Sequence, residues 1–386
     1  MGKGRVAVAM SGGVDSSLTA ALLKQAGYEV SGVYMQLFSD QNHNISDLEH
    51  TCQLLDIPLH KLNLETEFRS LVIDYFCQEY SLGRTPNPCT ACNQHIKFGL
   101  LLNRVLQMGV DYLATGHYAR IESSPNGERL LKAVDLTKDQ SYFLYTLGQR
   151  ELQHLLLPLG NLHKEEVRRL AAKLGLPTSS RHDSQDVCFI PDNDYGSFIA
   201  QHIPLQSGDI VDTKGKVLGR HRGLAQYTVG QRQGLGLASN KRLYVLKLNA
   251  SNNTLVVGTK DQLLSNRLTA NKLSWVSEEA PREPVNITAK VRYKSAEVAA
   301  KLHLNDEVAE VSFHQPQRAI APGQAIVFYQ GDAVLGGGIV NNPTASCGAS
   351  GGRRNGPPHP CDSSRQQAGR VFSLLFYKRS QWVRGF

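Results

Sequence analysis

The chain contains the sequence Met10-Ser11-Gly12-Gly13-Val14-Asp15-Ser16-Ser17 between a predicted strand over residues 5–9 and a predicted helix that ends at Gly27. Adjacent glycines allow successive backbone N–H groups to point inward and form a nest that binds anions. The serine hydroxyls add donors, and the N-terminus of the following helix favours a phosphate. The simpler alternative is an ordinary strand–helix turn with Asp15 as the helix N-cap, but it would need only part of this pattern. We therefore predict a phosphate-binding loop here.

The regions around this loop predict a parallel α/β fold. A second strand, over residues 30–35, follows the first helix, and a strand–helix–strand unit of this kind places its strands parallel. The pattern continues with predicted helices over 45–55, 66–81, 96–108 and 164–174 and predicted strands over 58–62 and 112–115. We expect an α/β N-terminal domain with a parallel sheet.

Short β-type segments replace this pattern after about residue 200. Glycine and Asn/Asp turns separate them, and they cover 211–218, 242–248, 255–257, 285–291, 298–302, 308–312, 325–329 and 334–340. Such spacing is typical of small β domains and barrels. We predict an α/β domain at 1–200, a small β-rich central domain at 201–265, a C-terminal β-barrel-like domain at 266–341 and a disordered, basic Gly/Pro/Ser/Arg tail at 342–386.

Composition excludes several classes of protein. Of the 386 residues, 41% are hydrophobic and 20% are charged, which is typical of a globular chain. No apolar run approaches the roughly 20 residues of a membrane-spanning helix, and no export signal or transit peptide is visible. The net charge of +8 is concentrated in residues 343–386, which carry +6. Charge alone therefore does not predict a nucleic-acid partner, and we expect a cytoplasmic monomer without membrane contact.

The seven cysteines favour redox, catalytic or metal chemistry over structural disulfides, because their number is odd and no export signal is present. Cys89 and Cys92 form a Cys-x-x-Cys pair behind the stiff segment Thr85-Pro86-Asn87-Pro88. A helix pattern starts near His95, so we place Cys92 at a helix N-terminus, where the dipole lowers the pKa of a thiol. Half of a zinc site is an alternative for this pair. Cys188, taken alone, would fit a buried core position.

The glycine loop lacks the lysine of a Walker A motif and the spacing of G-x-G-x-x-G. It resembles the PP-loop of the ATP pyrophosphatase superfamily, of the adenine nucleotide α-hydrolase type. Members of that superfamily cleave ATP between the α- and β-phosphates and adenylate a substrate oxygen. The resemblance implies ATP as the cofactor, with Mg²⁺ to neutralise the outer phosphates and Asp15 as a candidate ligand. It does not specify the substrate.

Further motifs follow the loop along the chain. They are GRTPNPCTACNQHIKF (83–98), TGHYAR (115–120), KDQSYFLYTL (138–147), DSQDVCFI (183–190), TVGQRQGLGL (228–237), APGQAIVFY (321–329) and VLGGGIV (334–340). In this order, over residues 5–341, they closely resemble the tRNA-specific 2-thiouridylases of the MnmA type. The resemblance implies a tRNA-uridine 2-sulfurtransferase with tRNA as its partner.

The implied reaction has two halves. ATP adenylates the C2 oxygen of the wobble uridine and releases pyrophosphate, and persulfide sulfur then replaces the oxygen to give 2-thiouridine and AMP. The resemblance implies that Cys188 receives the persulfide from a sulfur carrier protein. It implies that Cys92 is the nucleophile that helps to release the sulfur and closes a Cys92–Cys188 disulfide. A cellular reductant would reset the enzyme.

The resemblance also implies binding residues. ATP contacts are implied for Ala9, Met10, Ser11, Gly12, Gly13, Val14, Asp15, Ser16, Met35 and Gly116. Contacts with the target base are implied for Asn87, Pro88 and Cys89. Contacts with the rest of the tRNA are implied for His117, Lys138, Asp139, Gln140, Arg292, Tyr293 and Gln324. Cationic side chains would bind phosphates, while the pocket would read a base that has left its stack.

Three features depart from the family pattern. Position 89 is Cys where many members have an Asp that would serve as acid or base, and a thiol needs an adjusted pKa for that role. The stretch 36–44 is shorter than usual for the family, and residues 343–386 have no counterpart in the pattern.

Alternatives to the persulfide relay remain open. Cys89, Cys92 and Cys188 could hold three corners of a [4Fe–4S] cluster whose fourth iron binds sulfide. A PP-loop ligase or amidotransferase that acts on a small molecule would release pyrophosphate without tRNA. A noncatalytic RNA-binding protein with a degenerate loop would not bind ATP.

Overall fold

The structure is a computed structural model that describes residues 3–38, 45–179, 187–190 and 194–341. Three parts of the sequence discussed so far lie outside the described residues. They are 183–186 of the motif around Cys188, 39–44 of the shorter stretch after Met35, and the tail 342–386. Disorder of the tail therefore stays a prediction.

The described residues form strands that run through the whole chain. They are β1 (Arg5–Met10), β2 (Glu29–Gln36), β3 (Leu59–Asn63), β4 (Tyr112–Ala114), β5 (Ala119–Ser124), β6 (Gly127–Lys132), β7 (Leu155–Leu156), β8 (Gly208–Val211), β9 (Val217–His221), β10 (Tyr244–Asn249), β11 (Thr254–Gly258), β12 (Leu264–Trp275), β13 (Val285–Lys290), β14 (Val298–Asn305), β15 (Val308–Arg318), β16 (Ala325–Gln330) and β17 (Ala333–Val340).

Helices are concentrated in the first half of the chain. They are α1 (Val14–Gln25), α2 (Ile45–Leu54), α3 (Glu65–Phe68), α4 (Tyr75–Ser81), α5 (Pro88–Ala91), α6 (Leu102–Gln107), α7 (Gln149–Leu152), α8 (Lys164–Lys173) and α9 (Tyr195–His202). Two π-helical stretches make longer helical segments: Arg69–Asp74 joins α3 to α4, and Cys92–Leu101 joins α5 to α6. None of the described helices is both long enough and apolar enough to cross a lipid bilayer.

The first sheet is parallel throughout, with the strand order β3-β2-β1-β4-β7. Val6, Ala7 and Val8 in the central strand are at most 1% exposed, which explains why the sequence there is a continuous apolar run. The strand order reverses at β1, and open α/β sheets bind ligands beyond the carboxyl ends of the strands at such a point. The predicted parallel sheet is confirmed, and the glycine loop after β1 lies at this switch point.

The central region forms a four-stranded sheet in the order β10-β11-β8-β9, which confirms a small β-rich domain. The predicted strand over 211–218 is wrong, because residues 212–216 turn between β8 and β9. The Asp212 carboxylate accepts hydrogen bonds from the backbone N–H groups of Lys214 and Lys216 at 2.8 and 2.9 Å. Gly215 adopts φ = 83°. This Asx turn and its left-handed glycine end the strand although β-type residues flank them.

The C-terminal strands form a closed barrel in the order β12-β15-β14-β13-β16-β17, with β12 also paired to β17. Glycines allow the closure. A Cβ added at Gly336 would clash with the Ser274 carbonyl oxygen, and one at Gly338 would lie 2.8 Å from the Asn271 carbonyl oxygen. Larger residues would push β17 away from β12. The predicted barrel is confirmed.

A hairpin from the N-terminal region, β5–β6, continues the barrel sheet beyond β17. Leu131 in β6 lies opposite Ala333 in β17. The Lys132 ammonium donates to the Gly331 carbonyl at 2.9 Å and forms an ion pair with Glu297 at 2.8 Å. This hairpin is absent from the strands predicted above. It lies within the stretch 1–200 and contributes two strands to the sheet of the barrel.

Candidate active site

The predicted phosphate loop turns sharply after β1, and glycine allows the turn. Gly12 adopts φ = 74°, in the left-handed region that side chains disfavour. The Ser16 hydroxyl accepts a hydrogen bond from the Ser11 N–H at 3.2 Å and donates to the Gly13 carbonyl at 3.0 Å. Gly13 is the N-cap of α1 and makes no side-chain capping bond, so the alternative in which Asp15 caps the helix is wrong. No capping side chain therefore competes with a phosphate for the first N–H groups of α1.

Two side chains from distant parts of the chain engage the Asp15 carboxylate. The Lys164 Nζ lies 2.7 and 2.8 Å from its two oxygens, and the Tyr118 hydroxyl donates to Oδ1 at 2.8 Å. Lys164 is only 8% exposed, so its charge is largely withdrawn from solvent. Among the described residues, no group of three or more His, Cys, Asp or Glu side chains is arranged to hold a metal ion. Asp15 is therefore the counter-ion of Lys164, and its role as a ligand of Mg²⁺ stays a prediction.

Lys164 is a site residue absent from the residues predicted above, although one local signal pointed to it. Lys164 is the first residue of α8, where the helix dipole disfavours a positive charge. The next two residues, Glu165 and Glu166, follow the usual preference for acids. A lysine that contradicts its local environment indicates a partner elsewhere, and this partner is 149 positions away in the sequence.

Gly116, which follows β4, packs directly on the loop. A Cβ added there would lie 2.9 Å from both the Cβ and the carbonyl carbon of Asp15. Any larger residue would displace the loop, so steric crowding by Asp15 explains why position 116 is a glycine. Of the other predicted ATP contacts, Ala9 and Met35 are half-buried, while Met10 and Val14 are buried. Met10 and Val14 can therefore present only their backbone to a nucleotide.

His117 connects the loop to the region of the cysteines. Its Nδ1 lies 2.7 Å from the Thr115 hydroxyl, and its Nε2 lies 3.4 Å from the Lys97 ammonium. Burial and the Lys97 charge hold the pKa of His117 well below its usual value, so the ring is neutral. Because an ammonium group only donates, Nε2 accepts from Lys97 and Nδ1 carries the ring proton. His117 thereby orients Lys97.

The helix that carries the Cys-x-x-Cys pair begins earlier than predicted. Asn87 is its N-cap, with a side chain that accepts from the Thr90 N–H at 3.2 Å, and Pro88 is its first residue. Cys89 therefore lies in the first turn, where a helix terminus favours a thiolate. The prediction that Cys92 lies at the N-terminus is wrong, because asparagine and proline start the helix one turn before it.

Burial dominates the chemistry of the three thiols. Cys92 is buried, and burial raises the pKa of its thiol despite the opposing charge of Lys97. The prediction of a lowered pKa for Cys92 is therefore wrong. Cys89 and Cys188 keep exposed surface, yet the surrounding protein raises the pKa of both thiols, that of Cys188 to about 12. At neutral pH all three are protonated in the resting structure.

The same three cysteines form one electrostatic group, which we call the thiol cluster (Cys89, Cys92 and Cys188). Burial is the largest cause of the raised pKa of Cys188, and negative charge at Cys92 and at Cys89 raises this pKa further. The Lys97 charge lowers the pKa of each of the three thiols. All three thiols are free. They do not form a three-ligand group that could hold a metal ion within the described residues. Three free thiols in one electrostatic group are what a persulfide relay needs, and the zinc and iron–sulfur alternatives stay predictions.

Phe189 fixes the chain next to Cys188. Its ring is buried and makes edge-to-face contacts with Phe68 and Phe76 at centroid distances of 5.7 and 5.6 Å. Ile190 is buried as well. The core alternative for Cys188 is therefore wrong: its neighbours fill the core, and the cysteine itself is exposed.

The barrel is fastened to the segment that precedes Cys89. The Gln324 amide donates to the Thr85 carbonyl at 2.9 Å, and the Thr85 N–H donates to the Pro322 carbonyl at 2.7 Å. The Tyr142 hydroxyl adds a bond to the Ala325 carbonyl at 2.8 Å. These contacts fix the predicted base-binding segment between the first domain and the barrel.

An aromatic pair lies beside the thiol cluster. Tyr293 packs on Phe143 with a centroid distance of 4.3 Å, and the Phe143 carbonyl accepts from the Asn93 amide at 3.2 Å. Burial raises the pKa of Tyr293, and charges at Asp139 and Cys89 raise it further, so the ring lies within electrostatic reach of Cys89. An aromatic face at this position is suited to stacking on a base.

The other predicted tRNA contacts are largely engaged within the protein. Asp139 is 3% exposed and accepts from the N–H groups of Ala133 and Ser141 at 3.1 and 3.2 Å. The Gln140 amide oxygen accepts from the Tyr118 N–H at 2.9 Å. Lys138 and Arg292 are half-buried. Direct contact of these side chains with tRNA stays a prediction.

Known families match the chain in three consecutive parts. Residues 4–192 match the tRNA methyl transferase HUP domain, residues 196–259 the tRNA methyl transferase PRC-barrel domain, and residues 265–340 the aminomethyltransferase beta-barrel domain. Among solved structures, the U34-tRNA thiolase NcsA from Methanococcus maripaludis with its [4Fe-4S] cluster is 18% identical, with a TM-score of 0.35 over 52% of this chain and 64% of that chain.

Relatives of similar length are much closer in sequence. The tRNA-specific 2-thiouridylase MnmA of Acetivibrio thermocellus is 46% identical, over 88% of this chain and all of the relative. The tRNA-specific 2-thiouridylase MnmA of Magnetococcus marinus is 47% identical, over 87% of this chain and 98% of the relative. The loop at the switch point, the thiol cluster and these matches lead to one conclusion: the chain belongs to the family of MnmA-type tRNA-specific 2-thiouridylases.

Proposed function

We propose that this chain is an ATP-dependent tRNA-uridine 2-sulfurtransferase, which replaces the C2 oxygen of the wobble uridine by sulfur. One observation carries the proposal. Gly116 touches the loop, and the next residue, His117, holds Lys97, whose charge acts on the thiol cluster. An adenylation site and a sulfur-donating site would therefore share one region of the protein. The names of the relatives support the tRNA-uridine substrate.

In the first half-reaction, the loop binds the phosphates of ATP and the uridine C2 oxygen attacks the α-phosphorus. The bond from the α-phosphorus to the α,β-bridging oxygen breaks, and pyrophosphate leaves. A carbonyl oxygen, which is a poor leaving group, thereby becomes part of AMP, which is a good one. The N–H groups at the start of α1 stabilise the phosphate charge. Mg²⁺ would travel with the phosphates of ATP, because Lys164 already engages Asp15.

In the second half-reaction, Cys188 carries a persulfide that a sulfur carrier protein delivers. The terminal sulfur attacks C2, and AMP leaves with the oxygen. Cys92, whose thiolate form the Lys97 charge favours, gives up its proton to water and attacks Sγ of Cys188. This breaks the bond to the transferred sulfur and releases 2-thiouridine. The transferred sulfur gains two electrons, and the two cysteines supply them by forming the Cys92–Cys188 disulfide. A cellular reductant reopens this disulfide.

Cys89 acts as a helper in this scheme. Its raised pKa keeps the thiol protonated at neutral pH, so we assign it to proton donation and not to the role of base. The target base enters beside Asn87, Pro88 and Cys89. We also propose a cytoplasmic monomer whose three domains divide near residues 200 and 265.

The cysteines provide the test of this function. Wild type, Cys89→Ala, Cys92→Ala and Cys188→Ala are incubated anaerobically with tRNA, ATP and either sulfide or a persulfide donor. Nucleoside mass spectrometry reads 2-thiouridine, and iron content and absorbance near 400 nm are measured on the same samples. We expect iron-free activity in wild type, none in Cys92→Ala or Cys188→Ala with the persulfide donor, and partial activity in Cys89→Ala.

Two buried cysteines outside the cluster give matched controls. Cys52→Ala should retain activity, because its thiol packs in a different part of the core from Cys92. Cys77→Ala shares the core of Cys92 and Phe189 and therefore controls for lost packing beside the thiol cluster. Activity that tracks iron and disappears in all three cluster variants would replace the relay by a cluster mechanism. Pyrophosphate release at full rate without tRNA would instead indicate a small-molecule ligase. Absence of 2-thiouridine under every condition would overturn the assignment of the substrate.

A further inference from the structure

A shallow concavity of about 470 Å³ lies where the central domain meets the end of β15. Residues 230–233, Tyr244 and Arg318 line it. The Arg318 guanidinium lies over the Tyr244 ring, 5.0 Å from its centroid, and this cation–π contact orients it. Residues 230–233 belong to the motif TVGQRQGLGL, to which the proposed reaction gives no role.

Two chain segments approach each other closely to form this concavity. Gly230 adopts φ = 92°, and a Cβ added there would lie 2.6 Å from the Cβ of Ala319. Ala319 itself has a positive φ of 54°, which is uncommon for a residue with a side chain. The Arg292 guanidinium joins the two segments by donating to the carbonyl oxygens of Val229 and Ala319. A residue such as Ala319, held at a positive φ by an arginine, shows the kind of backbone strain that is concentrated at functional sites.

The lining is positively charged. Arg232 and Arg318 are exposed, and none of the described residues that line the concavity is Asp or Glu. In the part of the chain that the structure describes, neither arginine forms an ion pair with a carboxylate. The charge of Arg318 also lowers the pKa of Arg292, so like charges are close together here. Such a cluster favours an anionic ligand.

We propose that this concavity binds a phosphate of the tRNA backbone at a distance from the target base. The proposal rests on the proposed function and assigns a second contact surface to the same substrate. Two guanidinium groups offer the planar donor pairs that suit phosphate oxygens. The open shape suits the backbone of a polymer, whereas small ligands are usually enclosed.

The position of the concavity agrees with this ligand. Arg292 joins its two sides, and the next residue, Tyr293, packs on Phe143 within electrostatic reach of Cys89. One pair of neighbouring residues therefore links the concavity to the thiol cluster. A phosphate bound here would set the affinity and register of the RNA without reading its sequence.

The test compares wild type with the double variant Arg232→Gln/Arg318→Gln. Binding of full-length tRNA is measured by fluorescence anisotropy over a series of salt concentrations, and thiolation is measured as KM and kcat for tRNA. We expect roughly tenfold weaker binding at low salt, since the variant cannot form the charge-assisted hydrogen bonds. The slope of log K against log salt should fall by about one for each phosphate that the variant no longer binds. KM should rise while kcat is unchanged.

Arg129→Gln/Arg169→Gln is the matched control, because both arginines are exposed and the change in net charge is identical. It should leave the affinity and the salt slope close to wild type. Arg232→Lys/Arg318→Lys should restore the salt slope but only part of the affinity, since lysine lacks the planar donor pair. Equal effects of the test and control variants would overturn the inference. Failure of wild type to bind or thiolate tRNA would overturn the proposed function instead.

Discussion

The Lys164 ammonium bridges both carboxylate oxygens of Asp15, at 2.7 and 2.8 Å, although the two residues are 149 positions apart in the sequence. The pair joins the first residue of α8 to the first turn of α1, directly behind the glycine loop. Gly116 packs on the backbone of the same aspartate. The position of the loop therefore depends on contacts that come from two other parts of the chain.

Replacement of this lysine should affect both ATP chemistry and stability. We expect Lys164→Met to remove most of the tRNA-dependent pyrophosphate release and to lower the free energy of unfolding by about 1–3 kcal/mol, because Asp15 loses its charged partner. A pyrophosphate assay and urea unfolding measure the two effects. Lys173→Met, at the exposed end of the same helix, should change neither. Wild-type pyrophosphate release by Lys164→Met would contradict this role.

A side chain at position 116 should disturb the loop directly. The new Cβ in Gly116→Ala would lie 2.9 Å from the Asp15 Cβ, so the loop must shift. We expect ATP affinity, measured by titration calorimetry, to fall at least tenfold, and stability to fall by about 1–3 kcal/mol from overpacking. Gly196→Ala adds a methyl group at a helical position with only an ordinary contact and should keep ATP affinity.

The Lys97 charge should govern the reactivity of Cys188. Lys97 favours the thiolate and so opposes the rise in the pKa of Cys188, which stands at about 12. Its removal in Lys97→Met should raise that pKa further. Below the pKa, the rate of alkylation follows the fraction of thiolate. Iodoacetamide should therefore label Cys188 in Lys97→Met more slowly than in wild type, by the same factor of roughly three to ten at every pH from about 7 to 10.

Mass spectrometry of the labelled peptide measures this rate. Lys97→Arg keeps the positive charge and should retain most of the wild-type labelling rate. If Lys97→Met and wild type label equally fast at every pH, the charge at this position does not reach the thiol.

The packing of β17 against β16 and Tyr145 should depend on a glycine in β17. A Cβ at Gly337 would lie 2.5 Å from the Ile326 carbonyl oxygen and 2.7 Å from the Tyr145 ring. We expect Gly337→Ala to lower the free energy of unfolding in urea by about 1–3 kcal/mol. Gly331→Asn is the control, because its site is open and asparagine tolerates φ = 60°. A fully stable Gly337→Ala would show that the barrel tolerates the side chain.

Local pattern predicted much of this fold. The apolar run of β1, the glycine turn and the helix that follows belong to one continuous segment, and their meaning depends only on neighbours in the sequence. The wrong prediction of a strand over 211–218 also has a local cause. Asp212 and Gly215 form a turn between residues that otherwise favour strands.

Contacts between distant residues account for the other errors. No periodicity in β5 or β6 identifies a barrel strand as the partner of the hairpin. The partner of Lys164 could not be identified for the same reason. The spacing of Cys92 suggested a reactive thiol with a lowered pKa, but burial by the folded chain raises that pKa. The electrostatic environment of a side chain is a property of the assembled core.

The shared sheet has a consequence for synthesis of the protein. The ribosome makes β6 about 200 residues before the segment that covers it, since Lys132 binds a carbonyl 199 positions later. Until then the nascent chain presents an unpaired strand edge, and such edges can pair with other chains. When β17 emerges, it pairs with β12 to close the barrel and with β6 to cover this edge. The edges of β12 and β6 are therefore both covered only when β17, at the end of the described region, has been synthesised.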